Sequence, residues 1–542
     1  MLMNNTYKRL LLFILISGLF FLLFGLPFTN MGVDCDFFGV LQEIRLLDSW
    51  KHLWQTSLAH SYFPANEMTV ENNFGSFYRP ILQYSHAIEN YFLQDWWYGY
   101  TLVAIAFFGM TTGILAVIFT YAFPLFDALL LASLCAVHPA LSPSLLSVTV
   151  LLSSAYFFIA LSTLFYIFFY QHRKLTFLFG SLFFLFLALL SYDLLMIAPI
   201  LLLLYLYFFN QKYILDVIPY FFINGICIGL RIFFMGTPPQ KNLHDLSILI
   251  KQVLDNIIQV LRPFWGLEWT STLIALCLTL LFTFLILMHW IQHKKDRQTI
   301  IWLLCSFIIG SWGIIVGYAQ SRYFCLGLPF FAMLLYLLLD RSVSKKIVRG
   351  ILILLIIAWG TRTFLNQANR EKYIYARDIA LHQLLNEYPS KQYFILTIPY
   401  FCKNEHFLLG TGIMQGLQLY SKDNTLKVYN IFNKIALYLE DFPSKGTLII
   451  NNSEHGYEII STDPKNIWFT VLPGVEKYET SMGTVIIQKR KTSWQATELV
   501  VEFNDTYLQK NWINNTTFMY FDPHTWKFLP LQKDHLLKKG TR

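Results

Sequence analysis

The residues that could do chemistry in this chain stand at the ends of apolar runs. Asp34 and Asp36 follow the first such run, in "VDCDFF". Tyr78 and Arg79 lie in "SFYRPIL", and His138 precedes Pro139 in "LCAVHPALSP". Asp193 opens a later run, Arg231 lies late in another, and Arg322-Tyr323 begin a third. A carboxylate at such a position can act as a general base, taking the proton of an attacking hydroxyl. Arginines at the same depth can hold a phosphate bidentately and stabilise its charge as it leaves. Ionisable groups at membrane depth are functional candidates by default. Together the set suits transfer of a group from a lipid-linked phosphate to an acceptor.

Each residue also has a plainer duty. Asp36 can cap a helix beginning at Phe37, because a carboxylate accepts the orphan amide hydrogens there. Asp193 can cap the run that it opens, and His138 can satisfy a helix end. Arg231 and Arg322 can snorkel to the interface. Pro80 suits the first turn of a helix, which makes Tyr78-Arg79-Pro80 a junction. The aromatic stretch "QDWWYGY" reads as an interfacial belt. What favours the chemical reading is that six separate places in the sequence arrive at one bilayer level.

That level follows from the elements. The chain has 542 residues, 55% hydrophobic and only 14% charged, where an ordinary soluble domain carries about 25% charged residues. Apolar runs of about 20 residues, enough to span a bilayer, recur at 9–28, 97–121, 124–140, 145–170, 175–191, 193–209, 214–235, 271–290, 299–318, 323–340 and 347–363. Backbone groups in lipid must bond internally, so these runs are expected to be helices. The first run lacks a small-residue cleavage site and reads as a retained helix. Basic clusters at Lys8/Arg9, Arg173/Lys174, Lys212, Lys294/Lys295/Arg297 and Arg341/Lys345/Lys346/Arg349 fall on alternate connections. The positive-inside rule then puts the N-terminus in the cytoplasm and the C-terminal region outside. The net charge of +8 reflects this orientation and does not imply nucleic acid.

Two long segments lie outside in this reading. Within 29–96, apolar residues at Phe37, Val40, Leu41, Ile44 and Leu47, followed by Trp50 and Trp54, have helical spacing. They predict an amphipathic helix on the membrane face. The second segment, 364–542, opens with a predicted helix from Glu371 to Tyr388. Short β-like runs follow, "YFILTIPYF", "GTLIINN", "IWFTVLPG", "GTVIIQKR" and "ELVVEFN", and predict a small α/β or mainly β domain. The expected division is therefore 1–363, a transmembrane domain, and 364–542, a soluble exterior domain. Cysteine spacing implies neither a metal site nor a disulfide framework. No cofactor is required, and a divalent metal is left open.

Taken in order, these motifs resemble the GT-C superfamily of integral membrane glycosyltransferases, in particular the transmembrane O-mannosyltransferases with tetratricopeptide repeats and their bacterial relatives. Those proteins carry an aspartate pair after a first hydrophobic helix, then "YRP", a span ending in "HP", a helix break and "ERYLYLP". "VDCDFF", "SFYRPIL", "LCAVHPALSP", "LLSYDLLMIAP" and "QSRYFCLGLP" stand in that order here, and "FILTIPYF…GTGIMQGLQLY" is similar to the exterior domain of bacterial members. The resemblance covers about residues 10–420. It implies a polyprenyl-phosphate sugar donor, inversion at the anomeric carbon, Asp34 as general base, and Arg79, Arg231 and Arg322 on the donor phosphate. Asp36, Tyr78, His138, Asp193 and Tyr323 would complete the site. The family's adjacent aspartates are Asp-Cys-Asp here, its Lys-Glu is Tyr192-Asp193, and the acidic and basic residues that follow its "HP" are absent. There are no tetratricopeptide repeats.

Two functional readings follow. The first is a glycosyltransferase with a lipid-phosphate sugar donor and a protein, lipid or glycan acceptor at the non-cytoplasmic face. The second is a catalytically inactive relative serving as an envelope or lipid-binding scaffold. A transporter would show paired broken helices near the midplane, and the charged groups gather at one face instead. The Asn/Lys/Ile/Phe-rich composition points to a bacterial inner membrane.

Overall fold

The computed structural model describes residues 2–29, 79–141, 152–235, 272–312 and 324–397. It also describes isolated positions between 41 and 45 and between 257 and 265, and 399–537 apart from short interruptions. The chain divides into two compact units, Met1–Thr29 with Ser49–Ala368 and Asn30–Asp48 with Asn369–Arg542.

The first unit is helical. Its helices are α1 Leu2–Phe24, α2 Pro80–Leu93, α3 Trp97–Phe119, α4 Leu125–Ala136, α5 Leu152–His172, α6 Leu175–Ser191, α7 Ala198–Phe209, α8 Ile218–Met235, α9 Thr272–Gln292, α10 Arg297–Gly310, α11 Leu328–Ser342 and the start of α12 Lys345–Glu387. Among the described residues, six helices are long and apolar enough to cross a membrane, and shorter apolar helices accompany them. Large apolar side chains such as Leu280, Phe222 and Phe179 are exposed on their outer faces. Water would penalise that surface, whereas hydrocarbon does not; the chain is an integral membrane protein.

Every run predicted to span has a helical counterpart, with three differences. The run from 193 begins as a 3₁₀ turn over Asp193–Ile197, and the α-helix starts only at Ala198, with Pro199 in its first turn. The predicted helix from Glu371 is not separate: α12 runs unbroken from Lys345 to Glu387, because 364–370 contains neither proline nor glycine to stop it. Finally, α2 lies inside a segment read as an exterior loop. Proline at its first position, as expected of Pro80, starts it.

Two contacts fix α1 antiparallel to α3. The Tyr98 hydroxyl donates to the Gly25 carbonyl at 2.6 Å, and Arg9 Nε donates to the Thr120 hydroxyl at 3.0 Å. The backbones meet at Gly109 and Gly113; a Cβ at Gly113 would lie 2.9 Å from the Phe13 carbonyl oxygen. This is the small-residue contact by which membrane helices approach closely. Ion pairs tie the connections that carry the basic clusters. Arg349 Nε meets Asp127 at 2.7 Å, Arg173 meets Asp216 at 2.6 Å, and Arg341 Nε meets Asp296 at 3.1 Å.

The second unit contains the remainder of α12 and thirteen strands among the described residues. A four-stranded sheet has the order β13-β12-β1-β4 (Lys527–Pro530, Thr517–Asp522, Gln392–Ile395, Lys427–Tyr429). In it β1 is parallel to both β12 and β4. A nine-stranded sheet holds β3-β2-β5-β8-β11-β10-β9, with the β6–β7 hairpin joined to β11. Here β2 is Pro399–Cys402, β3 Glu405–His406, β5 Ala436–Leu439, β6 Leu448–Asn452, β7 Gly456–Ser461, β8 Ile467–Thr470, β9 Lys477–Glu479, β10 Gly483–Thr492 and β11 Gln495–Phe503. Each of the five β-like runs contains a strand, and the first, "YFILTIPYF", is divided between β1 and β2 in different sheets. Tyr393, Phe394 and Ile395 of β1 are fully buried, and Phe394 packs against Phe503 and Phe518 at 5.0 and 5.1 Å.

Candidate functional site

The site is approached from Arg79. It stands immediately before α2 and is half-buried. Its guanidinium carbon lies 4.8 Å from the centre of the Tyr192 ring, a cation–π distance. Tyr192 is itself buried, in extended conformation where α6 ends. Two motifs more than a hundred residues apart, "YRP" and "SYD", therefore meet.

A third motif reaches the same place. Tyr192 and Leu195 belong to one buried cluster with Tyr156, and Ile81, Cys325 and Leu326 pack against it. A small cavity beside Tyr192 is lined by Tyr156, Leu194, Leu195, Gly310, Trp312 and Leu326. Trp312 Nε1 donates to the Leu194 carbonyl at 3.2 Å. Trp312 and Leu326 flank the stretch that contains Arg322 and Tyr323. The arrangement offers a cation and aromatic faces at the end of the bundle where α6 ends and α2 begins. A guanidinium is the side-chain group suited to bind a phosphate bidentately.

His138 takes up a different arrangement. It is 1% exposed. Its Nδ1 accepts the Ala140 backbone N–H at 3.2 Å, closing the 3₁₀ turn Pro139–Leu141. Its ring is boxed by Trp359, Phe264 and Phe331 at 4.4, 5.0 and 6.2 Å. These are the contacts of a helix-end residue, the plainer of its two expected roles. Beside it the Thr363 hydroxyl donates to the Val137 carbonyl at 2.9 Å, and Gln367 Nε2 donates to the Phe24 carbonyl at 2.7 Å. Polar side chains of α12 thus close the ends of α4 and α1. Arg231 is half-buried near the end of α8. Asp193 begins the 3₁₀ turn next to Tyr192, with its side chain outside the described set. Asp34, Asp36, Tyr78, Arg322 and Tyr323 lie outside the described residues, as does most of the predicted amphipathic helix; Leu41, Ile44 and Arg45 within it are helical.

Sequence reasoning missed one polar group altogether. On α2, His86 Nδ1–H donates to Glu89 Oε2 at 2.7 Å, and both side chains are largely buried. The signal was available in the i, i+3 spacing of two ionisable residues, but residues 29–96 were read as one exterior segment. Among the described residues no group of three or more His, Cys, Asp or Glu could hold a metal ion.

No family model and no curated protein matches the chain. Two solved structures resemble it in overall course. ArnT from Cupriavidus metallidurans, bound to undecaprenyl phosphate, is 9% identical, with 79% of this chain and 92% of that chain covered and a TM-score of 0.41. The archaeal oligosaccharyltransferase AglB from Archaeoglobus fulgidus, in complex with an inhibitory peptide and a dolichol-phosphate, is 11% identical, with 86% and 76% covered and a TM-score of 0.42. At that level of similarity neither assigns a residue or a reaction to this chain.

Proposed function

We propose that the chain is a membrane glycosyltransferase of GT-C type that moves a sugar from a polyprenyl-phosphate donor to an acceptor on the non-cytoplasmic face. The observation that carries this reading is the meeting of Arg79 with Tyr192, with the segments flanking Arg322 packed on the same cluster. Three of the ordered motifs converge, as a shared site for one substrate requires. In the proposed reaction the acceptor oxygen attacks the anomeric carbon and its proton passes to the Asp34 carboxylate. The bond from that carbon to the phosphate oxygen breaks, and its electron pair leaves with the lipid phosphate. Arg79, with Arg322 and Arg231, neutralises the phosphate charge as it grows.

The alternative, an inactive scaffold, draws on the caged His138 and the absence of charged residues after it. Transfer from a radiolabelled lipid-phosphate sugar by purified protein in lipid vesicles separates the two. Asp34→Ala is expected to reduce transfer at least 100-fold, the usual scale for loss of a general base, without lowering the yield of folded protein. Full transfer by both Asp34→Ala and Asp36→Ala would overturn the assignment of the base.

A further inference from the structure

The inward face of α2 is polar where a membrane bundle is ordinarily apolar. Gln83 and His86 are 8% and 3% exposed, and the Gln83 side-chain oxygen is buried with no hydrogen-bond partner among the described residues. Ser85, His86 and Glu89 line one cavity together with Tyr100 of α3 and Ser153 and Ser154 of α5. The cavity measures about 10 Å³, the space of a single water molecule. Its lining offers a carboxylate, an imidazole and four hydroxyl groups but no arginine or lysine. That chemistry suits a neutral hydroxyl, which both donates and accepts hydrogen bonds, and disfavours a phosphate.

The cavity also has a defined relation to the proposed phosphate position. Arg79 immediately precedes α2 and His86 lies seven residues further on, about 10 Å along the helix axis at 1.5 Å per residue. One short helix therefore presents a phosphate-binding cation at its start and a hydroxyl-binding pair two turns later. We propose that His86 and Glu89 are specificity-determining residues that bind one hydroxyl group of the sugar carried by the lipid-phosphate donor, with that hydroxyl occupying the water-sized cavity. The carboxylate accepts from the hydroxyl, and its bond from His86 Nδ1–H holds it in place. This inference rests on the glycosyltransferase reading above and names a subsite within it.

The test is a series of lipid-phosphate donors, each lacking one sugar hydroxyl, offered to full-length protein in vesicles. A site built to hydrogen-bond a hydroxyl rejects the analogue lacking it by a factor of about 10⁴. The unaltered protein is expected to discriminate strongly against one deoxy donor. Glu89→Gln and His86→Gln are each expected to reduce that discrimination at least 100-fold, measured as the ratio of kcat/KM values, while the other deoxy donors keep their ranking. A merely structural role would lower kcat/KM for all donors alike, and that result, or unchanged discrimination in both variants, overturns the inference while leaving the reaction standing. Failure of the unaltered protein to use any lipid-phosphate sugar overturns the reaction and this subsite with it.

Discussion

Asp127 illustrates what a buried carboxylate does when its role is architectural. It sits in the first turn of α4 with no exposed surface. It accepts two bonds from Arg349, at 2.7 and 3.1 Å, and one from the Tyr336 hydroxyl at 3.1 Å. Three helices, α4, α11 and α12, are pinned through one side chain. Its negative charge in the first turn also faces the positive end of the α4 dipole. Removing one partner of such a pair leaves the others unsatisfied, which costs more than the pair contributes net. Arg349 is about a third exposed, so water recovers part of the loss. Asp127→Ala is expected to destabilise the protein by about 1–3 kcal/mol, read as a lower unfolding temperature in detergent. Sugar transfer per folded molecule should be unchanged, because the pair is far along the bundle from Arg79. Arg79 and Tyr192 contrast with this group: theirs is a cation–π contact between two motifs distant in sequence.

Elements were legible wherever composition alone decides them. Runs such as 97–121 are apolar all round and have the length of a span, so the helix at Trp97–Phe119 follows. Strands such as Gly483–Thr492 follow from a run of β-branched residues, Thr484 to Ile487, with Val485 buried. The nine-stranded order was not legible, since β11 pairs with β7 and β8 through contacts distant in sequence. For the same reason Arg79 and Tyr192 could be singled out separately, while their contact could not be foreseen. His86 and Glu89 escaped notice because polar residues in an exterior segment look solvated until a neighbouring helix buries them.

One element prediction concerns the turn between β12 and β13. Burial alone would raise the Asp522 carboxyl, but bonds from the Thr447 and Thr525 hydroxyls and from the Thr525 and His524 backbone N–H groups outweigh it and hold it below the usual carboxylate range. A carboxylate depressed in the folded state stabilises fully above its unfolded value of about 3.9. That contribution is lost as pH falls through the lower folded value. The second unit should therefore lose stability in acid below about pH 4, and Asp522→Asn should flatten this part of the profile. Unfolding temperature of the full-length protein from pH 3 to pH 7, with the variant beside it, measures the effect.

At the scale of the whole molecule, charge reports orientation. The pairs Arg349–Asp127, Arg173–Asp216 and Arg341–Asp296 secure the connections at one end of the helical unit. Arg9, whose guanidinium carbon lies 3.9 Å from the centre of the Tyr121 ring, belongs to that end too. Arg79 and Tyr192 stand at the other, since α6 runs from Leu175, next to Arg173, to Ser191. Loops rich in lysine and arginine are retained in the cytoplasm, and here the rule is supported by clusters on several connections. The orientation we propose follows: the basic end of the helical unit is cytoplasmic and Arg79 stands at its other end. Lys174 and Lys465 are exposed, one in each region. In a background with the exposed Cys277 replaced by serine, Lys465→Cys should react with a membrane-impermeant maleimide in intact cells. Lys174→Cys should react only after the membrane is opened. The reverse pattern would put the phosphate-binding end in the cytoplasm, where a donor presented on the outer leaflet could not reach it, and the proposed site would fall with the orientation.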